Sequence, residues 1–218
     1  PIDIGTDLGG SIRIPASFNN LVGIRPVPGR VPFYPTDYAW DTLVPHVAGP
    51  LASTIADATP AIDRRPAYPM SGPDDRNPTS LPEAPFDMVT AARPRSDLKG
   101  RRIALTIDFG GVVPVDPEVA ALTRKAASTL ETLGAHVEEI AFDASDLTEI
   151  IAGTRSFGMI ARYAERHDRH KALMTQQLRN QVEAAFAMDV RSIVRSERLR
   201  TGYWRRICGL MSTFDYIL

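Results

Sequence analysis

One cysteine, Cys208, is all that this 218-residue chain carries, so no intramolecular disulfide framework and no multi-cysteine zinc site can form within it. Lysine is nearly as scarce, with only Lys99, Lys125 and Lys171. No apolar run approaches the ~20 residues that a membrane-spanning helix requires. An excess of either charge is missing too: 25 basic residues against 26 acidic ones leave a formal net charge of −1. No global field therefore draws nucleic acid or an anionic membrane, and neither is expected as a partner. The chain opens on PIDIGTD, with no initiator methionine and no charged leader, so any targeting segment is expected upstream and cytoplasmic placement is the default expectation. No internal repeat is visible. At 44% hydrophobic residues the chain can nevertheless bury a substantial core.

Residues 1–50 are rich in Gly and Pro with short apolar runs such as NLVGI, a pattern of turns and brief strands with weak helix signals. STIADATPAID predicts a short or kinked helix capped by Ser53 or Thr54, because Pro60 costs ~3 kcal/mol in a helix interior. Between 63 and 97 repeated prolines resist both helix and sheet, so this stretch reads as a surface crossing. It separates a first region, 1–62, from a second, 98–218, within one domain. In the second region RRIALTIDF predicts a buried strand over 101–109. A helix is predicted over 116–134, capped by Asp116, with Pro117 in its first turn and Gly134 closing it in the left-handed region. AHVEEIAF then returns as a strand, completing a β-α-β unit with parallel strands. Helices follow at about 146–166, 171–186 and 189–212, with Asp146 and Asp189 as caps. FDYIL reads as one more strand.

The densest chemical signal is GTDLGGSIRIP, where three glycines crowd Ser11. A serine after two glycines is commonly a plain turn residue. A phosphate cradle fails on spacing, since no Lys-Ser/Thr follows and Gly5, Gly9 and Gly10 do not fit G-x-G-x-x-G. A G-x-S-x-G nucleophile elbow fails because Arg13 stands where its second glycine belongs. GTDLGGSIRIPASFNNLVGIRPVPGRVP, followed by GPLASTIADA, resembles the signature region of the amidase signature family, serine hydrolases that cleave carboxamides. DRNPTSLP, PVDPEV, LGAHVEE and FDYIL are similar to segments that recur in bacterial members, so the resemblance runs over essentially the whole chain.

The resemblance implies an α/β fold, a mixed β-sheet sandwiched by helices and here incomplete at both ends, and a Ser–cis-Ser–Lys mechanism with Ser11 as nucleophile. The residues agree with that role. A serine hydroxyl needs a base, and successive N–H groups of a Gly-rich turn can hold a tetrahedral oxyanion. Leu8, Gly9, Gly10 and Ser11 would supply them. Thr6, Asp7 and Arg13 match positions that support the loop, although Arg13 suits a plain structural ion pair equally well. In the family the lysine base and the bridging serine lie upstream of the nucleophile. The three lysines here all follow it in no matching motif and read as surface charges. The chain is thus expected to be an interior portion of an amidase, inactive on its own. The substrate implied is a small-molecule amide, with no metal or organic cofactor, and a homodimer is compatible with it. The alternative is a non-catalytic remnant or interaction module of amidase ancestry.

Three rival constellations carry less. A Ser-His-Asp triad would need His46, His136, His167 or His170, and His46, nearest to Ser11 in sequence, sits in a loop beside the second motif. His167 and His170 are spaced to share a helix face, but without an H-E-x-x-H pattern they read as exposed rather than metal-ligating. VRSIVRSERLRTGYWRRI holds six arginines and one acid, yet Ile193, Val194, Leu199 and Ile207 predict one apolar stripe of an amphipathic helix rather than a nucleic-acid surface. Within the family, the glutamine-hydrolysing members of tRNA-dependent amidotransferases resemble a pattern with glutamine where Ile14 stands and a Tyr-Gly-Leu stretch further on. SIRIP and GRVPFYPTDYAW favour a free-standing amidase instead.

Overall fold

The computed structural model describes residues 2–32, 34, 40, 46–63, 73–82, 87–95 and 97–218. Parts of the expected surface crossing over 63–97 and of the GRVPFYPTDYAW stretch lie outside the described residues. The chain parts into two compact units, one comprising 1–94 and 157–182 and the other 95–156 and 183–218.

The first unit contains a three-stranded antiparallel sheet in the order β1-β3-β2. Its strands are β1 (Ile2–Asp7), β2 (Val22–Gly23) and β3 (Val47–Ala52). The central strand pairs with β1 from Ile2↔Ala52 to Asp7↔Val47 and with β2 at Val22↔Ala52 and Gly23↔Leu51. β1 runs straight into a turn and then α1 (Arg13–Phe18), a helix only weakly signalled in the sequence. Six residues are too few to show a helical period, and Pro15 is tolerated because it falls within the first turn. Asn20 ends α1 at φ +53°, with Leu21 N–H reaching back to the Ala16 carbonyl at 2.9 Å, the six-to-one closure of a left-handed cap.

α2 (Ile55–Ile62) is capped by Thr54, whose side chain accepts the Asp57 N–H, and it carries Pro60 within its eight residues, a short helix as the proline requires. α3 (Met88–Ala91) starts at Asp87, whose side chain accepts the Thr90 N–H.

The second unit holds the β-α-β element. β4 (Arg102–Leu105) and β5 (His136–Glu139) pair in parallel from Arg102↔His136 to Leu105↔Glu139, and α4 (Pro117–Thr132) connects them. Asp116 caps α4 on the Glu118 N–H. At its other end Gly134 takes φ +95°, while Ala135 N–H reaches the Leu130 carbonyl at 3.1 Å. Arg124 then forks onto Glu139 with contacts of 3.1 and 2.7 Å, tying the helix to the strand that it precedes. β6 (Tyr216–Ile217) joins the other side of β4, also in parallel, so FDYIL does end in a strand.

The remaining helices are α5 (Leu147–His170), α6 (Gln176–Phe186) and α7 (Val190–Met211), with Lys171–Leu173 as a 3-10 turn. Asp189 caps α7 on the Arg191 and Ser192 N–H groups. Among the described residues no helix is long and apolar enough to cross a membrane. The expected apolar stripe of α7 needs correction. Ile193, Leu199 and Ile207 are half-buried, but Val194 is 47% exposed, because the helix turns its smallest inward side chain, fully buried Ser196, toward α5. Gly153 of α5 faces it: a Cβ there would overlap the Ser196 side chain. Arg195 to Glu149 at 2.6 Å and Arg206 to Asp146 at 2.8 Å bind the same two elements.

Two glycine substitutions should therefore act in opposite directions. Gly153→Ala forces backbones apart and is expected to destabilise by about 1–3 kcal/mol. At Gly209, where nothing lies within 4 Å of an added Cβ, alanine is expected to stabilise by about 0.5–1 kcal/mol through helix propensity. Urea midpoints of the two variants measure both.

Candidate active site

Asp7 is the last residue of β1, and its side chain is fully buried. The chain leaves the strand through Leu8 and Gly9, and Gly10 adopts φ +112°, a conformation that disfavours any side chain. That conformation folds the turn back over the Asp7 carboxylate. Gly10 N–H donates to Oδ1 at 2.7 Å and Ile12 N–H donates to Oδ2 at 3.2 Å. Arg13, the first residue of α1, adds a fork, Nε to Oδ2 at 3.0 Å and Nη2 to Oδ1 at 3.1 Å. Each carboxylate oxygen thus accepts two hydrogen bonds, about as many as its lone pairs allow. A second guanidinium, that of Arg25, stands 3.8 Å from Oδ1.

The titration of Asp7 follows from these contacts. Burial alone would push its carboxyl up, but the Arg13 guanidinium and the Gly10 and Ile12 N–H groups outweigh burial and hold it well below the ordinary carboxylate range. Burial pushes the Arg25 guanidinium down from its usual value, with Asp7 opposing. Asp7 is therefore a fixed anion with no lone pair left to take a proton from a neighbour. It holds the turn and cannot serve as a base.

Ser11 lies between the two residues whose N–H groups Asp7 holds, and it is exposed. The turn continues into α1 through Ile14 N–H, which donates to the Gly10 carbonyl at 2.7 Å. The structure thus brings together Asp7, Gly10, Ser11 and Arg13. Leu8 and Gly9 sit on the outer side of the turn, half-buried and exposed respectively. Thr6 is exposed on β1 opposite Ala48, and among the described residues the Asp7 cluster does not include it. The Gly10 N–H, expected to face an oxyanion, is engaged by Asp7 instead. The N–H groups that Asp7 does not take are those of Leu8, Gly9 and Ser11.

Sequence reasoning misses Arg25. Its only signal is a cation in the same signature stretch, twelve residues beyond Arg13, and the short returning strand β2 is what carries it back to Asp7. His167, expected to be exposed, is only 9% exposed, with Nδ1 3.6 Å from Asp168 Oδ1. The helical period of α5 turns it inward while His170 stays out. Among the described residues no group of three His, Cys, Asp or Glu side chains could hold a metal. Lys99, Lys125 and Lys171 are all exposed.

The Asp7 cluster makes stability depend on acid. The folded pKa lies below the unfolded value of ~3.9, so the stabilisation is complete above about pH 5 and is lost as pH falls through 4 and below. Asp7→Asn should cost about 1–3 kcal/mol near neutral pH, because it leaves buried donors and Arg13 without their anion, and should make the acid limb shallower. Urea unfolding of parent and variant between about pH 7 and pH 3 measures both effects.

Comparison with known proteins places this chain in a family. The sequence profile named Amidase matches residues 1–218. A glutamyl-tRNA(Gln) amidotransferase subunit of Enterococcus faecalis is 35% identical over 144 residues, 64% of this chain and 27% of the relative. The acylamidase of Rhodococcus erythropolis is 34% identical over 146 residues, again 64% of this chain and 27% of the relative. The crystal structure of a bacterial aryl acylamidase of the amidase signature family superposes with a TM-score of 0.82 at 29% identity, covering 98% of this chain and 44% of that one. The chain thus spans about a quarter of the length of these curated relatives and less than half of the structural one. With the family profile spanning residues 1–218 and the aryl acylamidase fold covering 98% of the chain, the chain belongs to the amidase signature family.

Proposed function

We propose that the protein carrying this chain hydrolyses a carboxamide C–N bond, with Ser11 as the nucleophile. The observation that carries this reading is the exposed Ser11 on a turn pinned from within by a fully satisfied buried carboxylate. Such a mount fixes a hydroxyl without needing any side chain on the substrate face. Ser11 Oγ attacks the carbonyl carbon. Its proton passes to a lysine through a bridging serine, the pair that the family resemblance puts upstream of Ser11. The negative charge on the former carbonyl oxygen is held by N–H donors of Leu8, Gly9 and Ser11, each such donor typically contributing about 10²–10³ in rate. The C–N bond then breaks as the leaving nitrogen takes a proton from the base. Ammonia or an amine departs, and water cleaves the Ser11 ester to release the carboxylate.

Glutamine hydrolysis within an amidotransferase is the second reading, favoured by the identity to the Enterococcus relative. Ile14 argues for the first reading. It is 55% exposed, and its Cδ1 lies 2.8 Å from where a Gly10 Cβ would stand, so an apolar side chain covers the turn beside Ser11. An apolar acyl group suits that neighbour better than the polar end of glutamine. The expected outcome is higher kcat/KM for an acyl anilide than for glutamine, and the opposite order would favour the second reading.

The reading is tested by intact-mass analysis of the full gene product after treatment with a fluorophosphonate, beside its Ser11→Ala variant. One adduct on the parent and none on the variant is expected, together with a loss of turnover of at least about 10³-fold. No adduct on either would move the non-catalytic module to first place. The 218-residue chain alone is expected to show no turnover, since no lysine precedes Ser11 within it.

A further inference from the structure

Ile12, the residue after Ser11, is fully buried, and the glycines around it explain how. A Cβ placed on Gly5 would lie 3.2 Å from Ile12 Cγ1, one on Gly23 would lie 3.0 Å from Cγ2, and one on Gly49 would lie 3.1 Å from Cδ1. Gly5 belongs to β1, Gly23 to β2 and Gly49 to β3. Each carbon of this side chain beyond Cβ therefore fits against a glycine of a different strand of the antiparallel sheet. Only an absent side chain lets three strands approach one isoleucine this closely.

The main chain of Ile12 is held as firmly. Its N–H donates to Asp7 at 3.2 Å. Its carbonyl accepts the Ala16 N–H at 3.1 Å and lies 3.0 Å from where a Gly23 Cβ would stand. Ile12 is thus fixed at side chain, donor and acceptor, one peptide bond from the serine.

We propose that Ile12 is a positioning residue for Ser11: its β-branched side chain, keyed into a three-glycine socket, sets where the serine hydroxyl stands. The inference rests on Ser11 being the nucleophile. Asp7 fixes the turn through the N–H groups of Gly10 and Ile12. The socket adds a side-chain constraint on the residue next to Ser11, because the two Cγ branches and Cδ1 define an orientation that a single contact cannot. An unbranched-β side chain of equal volume does not fit the same three recesses. Leucine at this position lacks Cγ2, the atom that faces Gly23, and carries its branch one carbon further out. Valine keeps both Cγ atoms and leaves only the Gly49 recess empty. A misplacement of about 1 Å at a reacting atom can cost about 10²-fold in rate, so the residue acts on chemistry rather than on affinity.

The experiment uses the full gene product and a fluorophosphonate, whose phosphorus Ser11 Oγ attacks with loss of fluoride, so no substrate need be known. The inactivation rate constant at saturation and the half-saturating probe concentration are measured for parent, Ile12→Leu, Ile12→Val and Gly5→Ala, with the melting temperature of each. The expected result is a fall of about tenfold or more in the rate constant for Ile12→Leu, with half-saturation unchanged and the folded state retained at the assay temperature. Ile12→Val is expected to lose less than Ile12→Leu. Gly5→Ala, which presses on Cγ1 from β1, is expected to slow inactivation as well, and it decides the question alone if Ile12→Leu does not fold. Parental rate constants in Ile12→Leu and Gly5→Ala, or losses that only track melting temperature, would overturn the proposal. Labelling of Ser11→Ala at the parental rate would instead overturn the nucleophile reading beneath it, and is read separately.

Discussion

The first unit depends on one buried anion. An ionised carboxylate taken out of water is costly unless its oxygens are paired and hydrogen-bonded. Asp7 escapes this because two backbone donors and one forked guanidinium fill both oxygens. The donors are available only if the chain reverses sharply after Gly9, and the reversal needs the φ of +112° that Gly10 supplies. Carboxylate, glycine and arginine are therefore not three separate signature residues. Each is required by the geometry of the other two, and Ser11 is the residue that this arrangement leaves facing outward.

Much of the second unit is legible in the sequence because its determinants are local. Asp116, Pro117 and Gly134 mark both ends of α4 within a single stretch, and the strand before it declares itself by the apolar run of RIAL, whereas the one after it, HVEE, is legible mainly from its place beyond the helix. Parallel pairing then follows from the length of the connection. The first unit is less legible for the opposite reason. β1 reads as polar-edged, with Ile2 and Ile4 exposed, and it pairs with the distant strand β3. α1 has no period to detect. What stabilises it is Asp7 below and the sheet beneath Ile12, both of which are tertiary contacts that no window of sequence contains.

The site divides in the same way. Ser11 and the glycines are legible because their residue types are unusual together. The direction of a given N–H is not, since a glycine turn can aim its donors inward or outward with the same letters, and Gly10 aims inward at Asp7. Arg25 is hidden by distance along the chain, and His167 by the phase of a long helix whose register is set by packing. In each case the residue type is visible and the facing is not.

The glycines of the first unit serve two different purposes. Gly10 is needed for its backbone angle, whereas Gly5, Gly23 and Gly49 do not take a left-handed φ and are needed for the space that they leave. Replacing Gly10 strains the turn itself, since an added Cβ would meet Ile14 at 2.8 Å on top of an unfavourable φ. Replacing one of the others leaves the turn's own dihedrals permissible and disturbs it only through Ile12 or through a neighbouring strand. At Gly49 that neighbour is the Ile24 carbonyl, which a Cβ would overlap, so change there disrupts the sheet. At Gly5 the nearest atoms are side-chain carbons of Leu51 and Ile12 at 3.1 and 3.2 Å, which can yield by a few tenths of an ångström. The mildest substitution in the socket is therefore the one at Gly5, whose effect reaches the turn through the Ile12 side chain.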